Sequence, residues 1–181
     1  GSLVYSCGVG EDISFDLSLI RRHGVRVFAF DPTPRSIEWV KGRKLPLEFQ
    51  FFGNGIADFD GEADFYPPEK PEDVSHSLVH GAGRVGRSVR VEVKKLESIL
   101  KEKGHQRIDV LKLDIEGAEF AVLEDVIRSR IPVGQIVVEF HHRFPEIGWR
   151  RLPRIRRLLR AAGYRIFYAS EDDRQYGFIW R

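Results

Sequence analysis

Short apolar runs recur along this chain, and between them lie stretches in which apolar residues return every three or four positions. The runs read as buried strands and the stretches as amphipathic helices. Leu3–Cys7 is the first predicted strand and Asp12–Arg22 the helix after it, closed by Gly24. Val25–Phe30 is a second strand, and Thr33–Lys41 a helix whose entry is set by Pro32 and Pro34. Leu47–Phe52 is a third strand. Glu62–Tyr66 and Val89–Lys94 read as two more, separated by Pro67–Ser88, a stretch rich in Pro, Gly and Ser without periodicity. A loop of that length inside a compact domain is often a functional lid. Then come a helix at Leu96–Lys103, a strand at Ile108–Leu113, a helix at Glu119–Ile127, a strand at Gln135–Phe140 and a last helix at Trp149–Ala162.

Alternation of this kind builds βαβ units and a mainly parallel sheet. The end of the chain breaks it: Tyr164–Ala169 and Gln175–Trp180 both read as strands, joined by the turn Glu171–Arg174. Such a hairpin reverses the last strand. The expected fold is therefore α/β, a Rossmann-like doubly wound sheet of seven strands with the final one antiparallel, in a single domain spanning 1–181.

With 181 residues, 42% hydrophobic and 31% charged, the chain can bury a sizeable core. Its formal net charge of +2 argues against nucleic acid as the main partner. The one cysteine, Cys7, rules out an internal disulfide framework. No apolar run approaches a membrane span and no signal-peptide pattern precedes the first strand, so a cytoplasmic protein is expected, with its oligomeric state left open. The start at Gly1-Ser2 and the lack of methionine are what a trimmed chain would show.

The most informative stretch is Val110-Leu111-Lys112-Leu113-Asp114-Ile115-Glu116-Gly117-Ala118-Glu119. A strand covered on both faces ends there in two carboxylates, and a glycine opens the helix that follows. Ligands of α/β sheets sit at such carboxyl ends. A purely structural role is open to the pair as well, Asp114 capping the helix and Glu116 favouring its first turn. The first turn, Ser6-Cys7-Gly8-Val9-Gly10-Glu11-Asp12, has glycines that let a ligand approach the backbone closely. A dinucleotide fingerprint would want a third glycine where Ile13 stands. Asp31, 21 positions beyond Gly10, ends the second strand where a carboxylate can accept ribose hydroxyls.

These residues resemble the FkbM type of S-adenosylmethionine-dependent methyltransferases over nearly the whole chain. Ser6–Gly10 is similar to that family's first cofactor loop, Val27–Pro32 to its ribose-binding strand end, and Gly55–Tyr66 to the segment after its third strand. The most specific agreement joins Val91-Glu92-Val93-Lys94-Lys95-Leu96 with Ile108–Glu119. The resemblance implies S-adenosyl-L-methionine as cofactor and a hydroxyl of a small molecule or glycan as acceptor. It implies cofactor contacts from Ser6, Cys7, Gly8, Val9, Gly10, Asp12, Asp31, Pro32, Gly55, Ile56, Asp114 and Ile115. The family's loop commonly opens on an acid and carries Ala-Asn where Val9-Gly10 stand here. Asp12, Asp114 or a backbone carbonyl would then meet the cofactor's ammonium group.

Methyl transfer to a hydroxyl needs alignment and a proton acceptor. Glu116, Glu139 and His141 are the candidates by position. His141 also admits a metal-ligand reading, and as open as a catalytic role is the alternative that His141 and His142 are two surface residues of a loop. No metal-ligand spacing motif is present, although Asp114, Glu139 and a histidine could offer ligands, and no metal is expected. His76, within the long loop, is a reserve residue for acceptor chemistry, and Gly81–Arg87 could close over the cofactor. Arginines crowd Arg150–Arg160, but Leu152, Ile155, Leu158 and Leu159 fall at helical spacing, which makes the arginines the exposed face. Two other readings stay open: a nicotinamide-dinucleotide-dependent oxidoreductase, which Ile13 and the closing hairpin disfavour, and a non-catalytic adenosylmethionine-binding module.

Overall fold

The computed structural model describes residues 1–67, 88–145 and 147–181. The first half alternates β1 (Leu3–Cys7), α1 (Ser14–His23), β2 (Arg26–Phe30), α2 (Pro34–Lys41) and β3 (Phe49–Phe52). Short strands β4 (Gly55–Ile56), β5 (Gly61–Phe65) and β6 (Val89–Lys94) follow. The second half contains α3 (Leu96–Lys103), β7 (Ile108–Leu113), α4 (Glu119–Arg128), β8 (Val133–Glu139), α5 (Arg151–Ala161), β9 (Tyr164–Ala169) and β10 (Gln175–Trp180).

Seven strands form the main sheet in the order β3-β2-β1-β7-β8-β10-β9. All neighbours pair parallel except β10, which runs antiparallel to both β8 and β9. The expected reversal of the last strand is therefore present, and β10 slots between β8 and β9. One face is covered by α3, α4 and α5, whose Leu96, Ile99, Leu123, Val126, Ile155 and Leu159 pack on Tyr5, Leu111, Ile136 and Phe178. The other face meets α1 and α2 over β1–β3, around Val4, Val27, Ala29 and Val40. In α5 the stripe Leu152, Ile155 and Leu159 is buried while Arg154, Arg156, Arg157 and Arg160 stay exposed, as the spacing predicted. Each buried leucine or isoleucine there contributes about 2 kcal/mol.

A second sheet of three strands, β4-β6-β5, lies beside the first. The two predicted strands flanking the long loop pair with each other in it, antiparallel from Gly61↔Val93 to Phe65↔Val89. The loop itself, with His76 and Gly81–Arg87, lies outside the described residues. The pair Gly55–Ile56 was not expected as a strand. It is too short to show periodicity, and it passes so near Pro32 and Val93 that a Cβ on Gly55 would stand 3.1 Å from each.

Register aligns the strand tips. Cys7 pairs with Phe30 and Leu113, Phe30 with Phe52, and Leu113 with Val138. The residues that follow, Gly8, Asp31, Gly53, Asp114 and Glu139, therefore emerge at one level along the carboxyl edge.

Candidate functional site

A cleft of about 220 Å³ opens where the tips of β1, β2 and β7 converge. Its floor is the turn Gly8-Val9-Gly10, and Asp31 and Pro32 form one side. Gly55, Ile56 and Phe65 from the small sheet face them, and Asp114, Ile115 and Glu116 close the opposite wall. Asp12, Phe15, Phe30, Thr33, Lys112 and Ala118 complete the lining. Among the residues the sequence named for the cofactor, Ser6 and Cys7 alone are absent from the lining, since both are buried within β1 beneath it.

Gly8 makes the convergence possible. Its φ is +85°, and a Cβ there would lie 1.7 Å from the Asp114 carbonyl oxygen. The turn is then fastened by Asp31. One carboxylate oxygen accepts the N–H groups of Val9 and Gly10 at 2.9 and 2.8 Å. The other accepts the Thr33 N–H at 2.9 Å and its hydroxyl at 2.7 Å. Four donors fill the acceptor sites of this buried carboxylate, so in this state it locks the loop to the end of β2. Asp12 accepts from Ser14 N–H and hydroxyl at 2.8 and 3.1 Å. Those bonds, with desolvation opposing and Lys112 assisting, hold its carboxyl below the usual range.

On the opposite wall, the sequence offered Asp114 as a helix cap, but α4 has no side-chain cap from Asp114, and Glu119 satisfies the turn instead. The fully buried Glu119 carboxylate accepts Ile115 N–H at 3.1 Å and Gly117 N–H at 3.0 Å. It also accepts Nδ1–H of His141 at 2.8 Å. That bond fixes the imidazole so that Nε2 faces Glu116 Oε2 at 3.5 Å and Asp114 Oδ1 at 4.0 Å. Burial disfavours a charged His141, but Glu119, Glu116 and Asp114 outweigh it and push its pKa up to about 9. Asp114 sits at the bottom of a concavity with 39% of its side chain still open. Burial there raises its pKa, Glu139 and Glu116 add to the rise, and Lys112 and His141 oppose it. Glu116 reaches its place through a left-handed backbone, φ +53°, at which a side chain is strained.

His141 and His142 are not surface residues: both are buried, 7% and 8% exposed, and the His141 ring packs against Phe144. Glu139 lies outside the cleft, ion-paired with Arg174, on an adjoining groove of about 260 Å³. That groove shares Lys112 and Asp114 with the cleft and is lined further by Val137, Phe167, Tyr168 and Gly177. Lys112 Nζ donates to Gly8 O at 2.9 Å, tying β7 to the first turn. Lys112 and Glu119 were missed as site residues. The signals were a lysine inside a buried strand and an acid on the apolar side of a helix.

A sheet of this order with β10 reversed, and a cleft at the tips of β1, β2 and β7, define the fold of S-adenosylmethionine-dependent methyltransferases. By structure, the chain resembles the fibrillarin pre-rRNA processing protein of Methanococcus jannaschii, with TM-score 0.59 and 11% identity over 99% of this chain and 66% of that one. It also resembles the N-terminal domain of human METTL16 in complex with SAH, with TM-score 0.54 and 11% identity over 99% and 60%. The model of the Methyltransferase FkbM domain matches residues 7–166, and the chain belongs to that family. Human probable methyltransferase-like protein 24 is 31% identical over 145 residues, 78% of this chain and 33% of that protein. The 2-O-methyltransferase NoeI of Sinorhizobium fredii is 27% identical over 131 residues, 65% of this chain and 53% of that enzyme. The chain thus spans about a third to a half of the length of these relatives.

S-adenosylmethionine is the cofactor of this class, and the donor set suits it. Phe65, Ile56, Pro32 and Ile115 offer an apolar slot for a base, while Asp12, Lys112 and Asp114 offer both charges to an amino-acid group. Among the described residues, no helix is long and apolar enough to cross a membrane.

Proposed function

We propose that the protein transfers the methyl group of S-adenosylmethionine to a hydroxyl oxygen of a small molecule or glycan. The observation that carries this reading is that the cleft and the adjoining groove meet at Asp114, beside Glu116 and His141. When bound, the cofactor supplies an activated methyl with a good leaving group.

The chain has the remaining tasks. Gly8, Val9 and Gly10 let the amino-acid part approach the backbone, with Asp12, Lys112 and Asp114 meeting its charges. Asp31 and Thr33 flank the ribose, and Pro32, Gly55, Ile56 and Ile115 border the base. Ser6 and Cys7 act from beneath, by setting the turn. Phe167 lies so close over Gly177 that a Cβ there would stand 2.5 Å from its ring. Its exposed ring and Tyr168 form an aromatic shelf on which a sugar or phenol can rest, with Glu139 and Arg174 at its rim. The acceptor hydroxyl then faces the Asp114, Glu116 and His141 cluster, which receives its proton. The name of the NoeI relative, a 2-O-methyltransferase, supports oxygen as the atom methylated.

Labelled donor offered with panels of sugars, phenols and RNA tests this. Base-stable labelling of a hydroxyl compound is the expected result. Labelling of nitrogen or of RNA, or tight binding of a nicotinamide dinucleotide without adenosylhomocysteine binding, would overturn it.

A further inference from the structure

The imidazole of His141 among carboxylates, where the donor and acceptor clefts meet, offers more than a place for the acceptor's proton. We propose that Asp114, Glu116 and His141 together bind one first-row divalent cation, of which Mn²⁺ is the probe.

One ligand atom from each of the three residues lies within 4.8 Å of the others. Nε2 stands 3.5 Å from Glu116 and 4.0 Å from Asp114. Metal bonds of about 2.1 Å put adjacent octahedral ligands about 3.0 Å apart and opposite ones about 4.2 Å apart. Both distances from Nε2 fall between these values, so a cation fits after small side-chain rotations.

His141 supplies the independent sign. It is more than nine-tenths buried and gives Nδ1–H to Glu119, while Nε2 points at the two carboxylates. A metal-ligating histidine ordinarily donates its second N–H to a carboxylate in this way. Charge agrees: Asp114, Glu116 and Glu119 gather three carboxylates around the imidazole, with Lys112 4.0 Å from Asp114, an acidic setting that favours a dication. Two carboxylate oxygens and an imidazole nitrogen suit Mn²⁺ or Zn²⁺ better than Ca²⁺. The ligands come from the tips of two strands, Asp114 and Glu116 after β7 and His141 after β8. No local spacing motif could have announced them.

Mn²⁺ titration followed by electron paramagnetic resonance, with pulsed measurement of ¹⁴N coupling, tests the site. Wild-type protein is expected to bind one Mn²⁺ at micromolar concentrations with a histidine nitrogen signature. Asp114→Asn and Glu116→Gln should each weaken binding at least tenfold, and the remote Glu62→Gln should not. Melting curves confirm that each variant is folded, and a variant that does not fold is replaced by the other rim substitution. Absence of stoichiometric binding at millimolar Mn²⁺, or binding without ¹⁴N coupling or unaffected by both variants, overturns the proposal. In that case the carboxylates serve only the cationic groups of the donor and the proton of the acceptor. The role of the cation rests on the methyltransfer reading, but its binding does not. Adenosylhomocysteine titrated into the same samples separates failure of one from failure of the other.

Discussion

The two ends of the main sheet make opposite use of the same strands. At the amino end, β8, the ends of α4 and α5, and Trp180 enclose a groove of about 690 Å³, roomier than the 220 Å³ cleft at the carboxyl end. Its lining is Val126, Ile127, Ile131, Leu158 and other apolar residues with Arg107 and Arg130, and no described carboxylate lines it. The carboxyl end is smaller but gathers Asp12, Asp31, Asp114 and Glu116 around a glycine turn, with the buried His141–Glu119 pair behind. Volume alone would choose the amino end. Parallel strands deliver their chain turns and helix starts to one edge, and it is there that backbone strain and converging charge accumulate.

Substitutions sharpen this contrast. The largest effect is expected from Gly8→Ala, which drives a methyl into the Asp114 carbonyl at a positive φ. It should cost about 4 kcal/mol and abolish adenosylhomocysteine binding, read by denaturant melts and calorimetry. Asp114→Asn should lower kcat/KM on the order of 10²–10⁴-fold with the melting temperature little changed, which steady-state kinetics and calorimetry together would show. Asp31→Asn leaves two of four buried donors without an acceptor. A loss of about 2 kcal/mol and roughly tenfold weaker donor binding should follow.

A smaller effect of opposite sign is expected at Asp16. It is 2% exposed, and burial raises its pKa, softened by the nearby Ser6 hydroxyl and Lys112; Ser6 Oγ and Asp16 Oδ1 make no proper hydrogen bond. A carboxyl with a raised folded-state pKa binds its proton more tightly when folded, so its cost appears as pH rises past the ordinary carboxylate value. Asp16→Asn should therefore raise the melting temperature by ~2–4 °C at pH 7, the gain fading toward pH 4. Trp180→Ala, at the amino end, should leave kcat/KM within about twofold.

Much of this was legible because strand runs and helical stripes follow from burial, and the carboxyl edge follows from their alternation. What was missed depended on distance rather than order. β8 begins at Val133, two residues early, because Gly134 interrupts the apolar run although its backbone fits beside Asp109 O, 2.9 Å from where a Cβ would sit. Nothing in the sequence singled out Glu119, and only the return of the chain after β8 shows that it carries His141. A surface position stayed open for the histidine pair because a run without periodicity gives no sign that His141 packs against Phe144. Asp31 was legible as a site residue, whereas its four bonds to the loop were not.

The most direct measurement is a crystal structure with adenosylhomocysteine. The ligand should lie over Gly8–Gly10, with its ribose beside Asp31 and its amino-acid end toward Lys112 and Asp114. Density for it in the apolar groove beneath Trp180, or a strand-tip cleft that stays empty at saturating ligand, would contradict this assignment.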